Sequence, residues 1–157
     1  MEFVIREEEN LERIRELLFA LRREELKFDK DLIVSEESIE KMLRWMGRKL
    51  KGKDAFLFVA EDGNEALGYI FGWVERRSKN YWKTSKYGYI CDLFVKKGCR
   101  RKGIGRALLE KAEEWFREKG ISKIFLEVYF NNPAKEFYRK FGYYPLDIKM
   151  EKNLRKG

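Results

Sequence analysis

The chain has 157 residues, of which 44% are hydrophobic and 15% aromatic, a size and composition that suit one domain with a substantial core. It contains no histidine, which excludes Ser-His and Cys-His catalysis and histidine-containing zinc sites. Its only two cysteines, Cys91 and Cys99, do not make a disulfide framework, and no metal site is predicted. The net charge of +8 favours anionic partners such as nucleic acid or phosphorylated cofactors, although 39% charged residues of both signs are also typical of a solvated surface.

The first half of the chain is predicted to form a strand, two helices and a hairpin. EFVIRE is predicted to be a short strand, and its acidic beginning is unlike a secretory signal, so a cytoplasmic protein is expected. Helical spacing of apolar residues predicts a first helix within residues 8–27, and Ser35 is placed to cap a second helix that ends near Lys51. Two strand-like runs then flank Asp62-Gly63-Asn64, which predicts a hairpin.

The second half of the chain alternates between strands and helices. YGYICDLFV predicts a strand that ends near Val95, and a helix is predicted between Gly103 and Gly120. ISKIFLEVYF predicts a buried strand, NNP begins another helix that Gly142 ends, and YYPLDIKMEKNL is predicted to supply a last strand. No stretch is apolar and long enough to predict a membrane span, and no membrane partner is expected. This order predicts an α/β fold, a mixed sheet with helices on both faces, in a single domain over residues 1–157.

A turn with two glycines and several cations precedes the helix that begins after Gly103. Backbone N–H groups at a helix N-terminus have no partner within the helix and, together with the helix dipole, favour an anion. Gly103 and Gly105 let a phosphate approach the backbone, and the cations near them are Arg100, Arg101, Lys102 and Arg106. Neither the Walker phosphate loop nor the three-glycine dinucleotide fingerprint matches these residues. A tight turn with surface cations is the alternative interpretation.

The segment RRKGIGRALL, together with NNPAKEFYRKFGY later in the chain, resembles the GNAT superfamily of acetyl-CoA-dependent N-acetyltransferases. Arg100, Gly103 and Gly105 match its Arg/Gln-x-x-Gly-x-Gly/Ala signature. The residues that match its later motif are Asn131, Ala134, Phe137, Tyr138, Gly142 and Tyr143. The resemblance implies the GNAT fold, a twisted, mixed and mostly antiparallel sheet of six to seven strands with helices on both faces. The abundance of Glu, Lys and Arg and the absence of glutamine also resemble a thermophile composition.

The resemblance implies that acetyl-CoA binds as co-substrate. The backbone groups implied to hold its pyrophosphate belong to Arg100, Arg101, Lys102, Gly103, Ile104, Gly105 and Arg106. The strand before this turn is implied to splay from its neighbour, so that the main chain of Phe94 and Val95 pairs with the pantetheine arm. Asn131 is implied either to contact the cofactor or to cap its helix, with Asn132 as the one-residue alternative.

The implied reaction is direct attack of a primary amine on the thioester in a ternary complex, with a main-chain N–H near Val95 stabilising the oxyanion. Tyr138 matches the tyrosine that protonates the departing thiolate, and a buried core aromatic is its alternative role. Glu127 and Asp92 are the candidate bases, because a lone carboxylate in an apolar strand is costly unless it has a purpose. A structural acid is the alternative for both, and water could carry the proton.

The two carboxylates point to different acceptors. In some relatives that act on protein N-termini a glutamate at the place of Glu127 serves as base, whereas relatives that act on polyamines or aminoglycosides carry a carboxylate at or beside the position of Asp92. The expected acceptor is therefore a small cationic amine or a peptide N-terminus, and a homodimer is expected because dimers are frequent in this family. A catalytically idle acetyl-CoA sensor and a basic nucleic-acid-binding module are the alternatives, although no recognition helix or aromatic-basic RNA motif is present. An acyl-cysteine route is not expected without a histidine base.

Overall fold

The computed structural model describes residues 2–155. These residues form two compact units, one within Met1–Glu127 and the other within Val128–Gly157. The first unit contains the sheet and three α-helices, and the second contains one short helix. Among residues 2–155, no helix combines the length and the apolar character that a membrane span requires.

The sheet of the first unit has five strands in the order of the chain. They are β1 (Val4–Glu7), β2 (Ala55–Asp62), β3 (Glu65–Arg76), β4 (Lys86–Val95) and β5 (Ile124–Leu126). The first four pair antiparallel and β5 pairs parallel to β4, so the sheet is mixed and mostly antiparallel, as predicted. Gly63 takes a left-handed φ of 61° in the turn between β2 and β3, which confirms the predicted hairpin.

Helices cover both faces of this sheet, as predicted. They are α1 (Arg15–Glu25), which follows a short 3-10 helix over Leu11–Ile14, α2 (Glu36–Leu50) and α3 (Ile104–Glu118). Ser35 accepts a hydrogen bond from the N–H of Ser38 and so caps α2, as its sequence position indicated. Buried residues of α1 and α2 pack with Tyr69, Phe71 and Phe94 of the sheet. On the opposite face Phe116 of α3 packs edge-on against Phe56, with ring centroids 5.3 Å apart.

The second unit contains α4 (Ala134–Lys140), which follows Pro133 and ends before Gly142, as predicted. Gly142 has a left-handed φ of 89°, a conformation that terminates helices. The ring of Phe137 packs against that of Phe141 at a centroid distance of 5.0 Å.

The sheet has five strands where six to seven were predicted. β5 covers only three residues of the longer predicted strand, and residues 143–155 contain no strand. Apolar residues alternate along this predicted last strand, and Tyr144, Leu146, Ile148 and Met150 are all exposed. Alternation shows which faces a strand would have, but a strand also requires a neighbour to satisfy its backbone N–H and C=O groups.

Candidate active site

Strand β4 loses one of its two neighbours half-way along its length. β5 pairs with β4 only as far as Ile90, whereas β3 continues beside β4 to Val95. At the same point the register with β3 shifts, because Gly72 pairs with Ile90 and Phe71 with Asp92. The extra residue, Cys91, therefore forms a β-bulge. Residues 91–95 have no strand neighbour on the β5 side among the described residues, which agrees with the splayed strand that the resemblance implied.

Phe94 and Val95 lie at the end of this open edge. The side chain of Phe94 is buried in the core between the sheet and the first two helices. The carbonyl oxygen of Val95 accepts a hydrogen bond of 2.8 Å from Nε of Arg100. Arg100 also donates from Nη2 to Oε1 of Glu24 at 2.9 Å. It therefore fastens the glycine turn to β4 and to α1, a positioning role that its place in the signature did not indicate.

The turn before α3 has a constrained backbone. Gly103 is the N-cap of α3 with a φ of 84°, and Arg101 is the one described non-glycine residue with a positive φ, at 64°. No side chain caps this helix, and the N–H groups of Ile104 and Gly105 have no acceptor among residues 2–155. Left-handed residues ahead of a helix N-terminus direct backbone N–H groups towards one point, an arrangement that binds anions.

The cationic side chains at the turn differ in whether a carboxylate of the protein already binds them. Nε of Arg106 pairs with Oε1 of Glu110 at 2.9 Å along α3, so it is held on the helix surface. Arg101 and Lys102 are exposed, and within residues 2–155 neither forms an ion pair. These two cations are the ones that remain available to a bound phosphate.

Asp92 lies in a buried cluster of polar side chains. Its two carboxylate oxygens accept hydrogen bonds from Nη1 and Nη2 of Arg22, at 3.2 Å each, and one also accepts from the Tyr69 hydroxyl at 3.0 Å. Burial raises the pKa of the Tyr69 phenol well above its usual value, and Asp92 raises it further. Burial also raises the pKa of the Cys91 thiol, with Asp92 as the next cause, so Cys91 stays a protonated thiol. Asp92 is thus already paired by protein groups.

Glu127 has a different environment. It follows the last residue of β5 and is exposed, so the cost of burying a carboxylate, which drew attention to it in the sequence, does not apply. Its Oε1 accepts a hydrogen bond of 2.8 Å from the hydroxyl of Tyr89 in β4. Partial burial raises the pKa of Tyr89, and the carboxylate of Glu127 raises it further, so the phenol remains a hydrogen-bond donor. Glu127 therefore keeps one oxygen oriented by Tyr89 and stands open to solvent.

The remaining predicted residues belong to the second unit. Tyr138 is half-buried in α4, with its ring 5.4 Å from Phe137 and 5.9 Å from Tyr143. Asn131 is exposed, whereas Oδ1 of Asn132 accepts from the N–H of Ala134 at 2.9 Å. Asn132, the one-residue alternative to Asn131, therefore bonds the first N–H of α4 from two residues before the helix, whereas Pro133 is the N-cap and no side chain caps α4.

Sequence reasoning missed Tyr89 and Arg22. Tyr89 stands two residues before Cys91 in a strand with many aromatics, and its role depends on the parallel register that sets Tyr89 opposite Phe125. Arg22 is 70 residues away from Asp92 in the chain, and the charged pattern of the first helix did not distinguish it from its neighbours.

Comparison with known proteins identifies the family. The Acetyltransferase (GNAT) family model matches residues 12–143, which is most of the chain. The chain belongs to the GNAT family. This membership confirms the predicted family and fold, and with them the expected class of the domain, an N-acetyltransferase with acetyl-CoA as co-substrate.

Individual relatives of this GNAT domain differ in their acceptors. An N-alpha-acetyltransferase of Sulfurisphaera tokodaii is 34% identical over 99 residues, which are 60% of this chain and 59% of the relative. A streptothricin acetyltransferase of Streptomyces lavendulae is 43% identical over 98 residues, 59% of this chain and 48% of the relative. The chain thus spans only 59% and 48% of the length of these two curated relatives. The structure of a putative acetyl transferase from Pyrococcus furiosus has a TM-score of 0.77 at 33% identity, covering 98% of this chain and 100% of that one.

Proposed function

We propose that this GNAT domain transfers the acetyl group of acetyl-CoA to a primary amine by direct attack in a ternary complex. The observation that carries the proposal is that an open strand edge and an anion-binding turn follow one another directly along the chain. The open edge of β4 ends at Val95, and the turn with free N–H groups begins at Arg100, which binds back to the Val95 carbonyl. This arrangement suits coenzyme A. The amides of its pantetheine arm match the open edge of β4, and the pyrophosphate at the end of that arm matches the turn.

The backbone and side-chain groups of the turn have different proposed roles in binding the pyrophosphate. Its negative charge is bound by backbone N–H groups between Arg101 and Gly105, with the side chains of Arg101 and Lys102 adding attraction. Arg100 acts by positioning the turn, and Arg106 flanks it from α3. Main-chain groups of Phe94 and Val95 remain the proposed contacts of the pantetheine arm, and Asn131 remains proposed as a further contact with the cofactor.

We propose Glu127, and not Asp92, as the group that helps the acceptor lose its proton. An alkyl ammonium has a pKa of about 10.4, so little of it is free amine at neutral pH. Asp92 is fully engaged by Arg22 and Tyr69, and accepting a proton there would weaken a buried ion pair. Glu127 is exposed and held by Tyr89, so it can take the proton directly or through one water.

Tyr138 is proposed as the acid that protonates the departing thiolate. The support for this role is the family motif that Tyr138 matches in the sequence. A phenol with a pKa of about 10 can donate a hydrogen bond while charge develops on sulfur.

The proposed acceptor is the α-amine of a peptide. The exposed position of Glu127 supports this choice, since a glutamate at this place serves as base in some relatives that act on protein N-termini. The similarity to an N-alpha-acetyltransferase supports it independently. Similarity to a streptothricin acetyltransferase supports a small cationic amine as the second candidate. The homodimer and the cytoplasmic location also remain proposals, and sedimentation of the purified protein checks the first.

An acceptor screen tests the proposal. Acetyl-CoA consumption and product mass would be measured with peptides that have a free α-amine, peptides with a blocked α-amine and a free lysine, polyamines, aminoglycosides and streptothricin. We expect free α-amines to be acetylated, and Glu127→Gln to lower kcat by about 100-fold, with partial recovery as pH rises through the α-amine pKa of about 8. Glu118→Gln, an exposed acid at the end of α3, is the matched control. Binding of coenzyme A without transfer to any amine would identify a sensor, and salt-dependent DNA binding without coenzyme A binding would identify a nucleic-acid module.

A further inference from the structure

The guanidinium of Arg77 lies in an aromatic box just after the end of β3. Its Cζ is 4.8 Å from the ring centroid of Trp82 and 5.2 Å from those of Tyr87 and Phe125. Its Nε donates to the carbonyl of Thr84 at 2.9 Å, which fixes the orientation of the guanidinium plane. The side chain is therefore held by three rings and one hydrogen bond, with its Nη groups left for another acceptor.

Arg77 has no carboxylate partner in the part of the chain that the structure describes. Its neighbour Arg76 pairs with Asp54, with Nη1 to Oδ2 at 3.4 Å. Glu75, which precedes both, uses its oxygens to accept from the Trp73 indole and from the backbone N–H of Arg76. A half-buried guanidinium that is oriented by the protein and has no anion beside it suits a bidentate carboxylate from outside the chain.

Arg77 lies on the same face of the sheet as Glu127. Residues two apart in a strand share a face. Phe125, against which Arg77 packs, precedes Glu127 by two residues, and Tyr87 precedes Tyr89, the partner of Glu127, by two as well. The step along the strands from the box to Glu127 is about 7 Å, which is the length of two extended residues. A ligand with an amine at Glu127 therefore reaches Arg77 with a group about one dipeptide away.

We propose that Arg77 binds a carboxylate of the acceptor, so that this domain prefers amines that carry an acidic group about two residues from the nitrogen. Two sources supply this chemistry, the side chain of an acidic second residue in a peptide and the free α-carboxylate of a dipeptide. The inference rests on the proposed function, because it takes Glu127 to mark the place of the acceptor amine. In this proposal Arg77 determines acceptor specificity, and the rings of Trp82 and Tyr87 shield from water the ion pair between Arg77 and the acceptor carboxylate.

Matched acceptors test this assignment. One pair consists of C-terminally amidated peptides that begin Ser-Glu or Ser-Gln, and the other of the Ser-Ala dipeptide as free acid or as amide. We expect kcat/KM to favour the acid in at least one pair by about tenfold, the size of effect typical of a charge-assisted hydrogen bond. The pair that shows the preference identifies the source of the carboxylate. In Arg77→Met the preference disappears, whereas in Arg76→Met, which removes the same charge one residue away, it remains.

Binding measured separately distinguishes this inference from the proposed function. Calorimetry with coenzyme A bound would compare the same acid and neutral acceptors without any turnover. Transfer to peptides with no preference for the acid in either pair, or an equal loss of preference in Arg76→Met, overturns the role of Arg77. Acid-dependent binding without acetyl transfer upholds the role of Arg77 and overturns the proposed function. Thermal melting of Arg77→Met shows whether a loss of preference comes from a loss of folding. Arg77→Lys keeps the charge but not the bidentate geometry, and with this variant we expect a reduced preference for the acid.

Discussion

Both carboxylate oxygens of Asp92 accept hydrogen bonds from Arg22, at 3.2 Å each, in the interior between α1 and β4. Removal of one member of a buried pair leaves the other charge without compensation. We therefore expect Arg22→Met to lower the free energy of unfolding by about 3 kcal/mol, measured by urea denaturation. Arg23→Met, an exposed arginine of the same helix, is the control and should cost less than about 1 kcal/mol. Equal losses in the two variants would contradict a buried role for Arg22.

The same pair predicts how the two candidate bases separate in kinetics. Asp92→Asn replaces a charge that Arg22 and Tyr69 hold, so its main effect should be on stability. Glu127→Gln removes an exposed carboxylate that nothing but Tyr89 engages among the described hydrogen bonds. Per folded molecule, we expect Glu127→Gln to lower kcat at least about tenfold more than Asp92→Asn does. The reverse order would transfer the role of base to Asp92 and favour a small cationic acceptor.

Stability should fall in alkaline solution through Tyr69. Burial, with the charge of Asp92 as the next cause, raises the pKa of Tyr69 in the folded protein above the value of about 10 that applies in the unfolded chain. The unfolded chain therefore releases this proton first as pH rises, so the contribution of Tyr69 is complete below about pH 10 and is lost above it. Each pH unit above 10 costs about 1.4 kcal/mol per such group.

Tyr69→Phe isolates this contribution. At neutral pH the variant lacks the hydrogen bond to Asp92 and should be less stable by about 1–2 kcal/mol. Above about pH 10 its stability should fall less steeply than that of the unchanged protein, so the two curves converge. Urea denaturation at a series of pH values measures both slopes, and parallel curves would show that Tyr69 keeps an ordinary pKa.

The sequence predicted those parts of the molecule in which local chemistry decides the structure. Ser35 as a cap, Gly63 in a hairpin and Gly103 before a helix each depend on neighbours a few residues away, and each was placed correctly. The Arg22–Asp92 pair and the Tyr89–Glu127 contact depend instead on which strands and helices become neighbours in space. Periodicity identifies the faces of an element and leaves its partner unspecified.

The carboxylates illustrate the same limit. In the sequence, Asp92 and Glu127 both lie in apolar strands, and both were predicted as candidate bases because burying a lone carboxylate is costly. In the structure one is 5% exposed and paired, and the other lies beyond the end of a three-residue strand in contact with solvent. A strand boundary that differed by a few residues from the predicted one changed the chemistry available to Glu127.

The left-handed backbone of Gly103 predicts an effect on cofactor affinity. A side chain at φ 84° is strained by about 1–2 kcal/mol, although no atom lies within 4 Å of the position that a Cβ would take. Gly103→Ala should therefore shift the turn and raise the KM for acetyl-CoA by about tenfold, with little change in kcat. Gly98→Ala is the matched control, because its Cβ position is equally open and its φ is not left-handed. Equal KM values in the two variants would argue against a pyrophosphate on this turn.

The proposed acid role of Tyr138 is tested by removing one oxygen atom. Tyr138→Phe keeps the ring that packs against Phe137 and Tyr143, so the fold of its unit should persist. If the phenol protonates the departing thiolate, kcat should fall by about 100-fold while the affinity for coenzyme A, measured by calorimetry, stays within about twofold. Tyr143→Phe, which removes a hydroxyl from the neighbouring ring, should leave kcat within about threefold. A parallel loss of coenzyme A affinity in Tyr138→Phe would instead make Tyr138 a cofactor-binding residue, since a group that acts only on the leaving thiolate contributes to the transition state and not to ground-state binding.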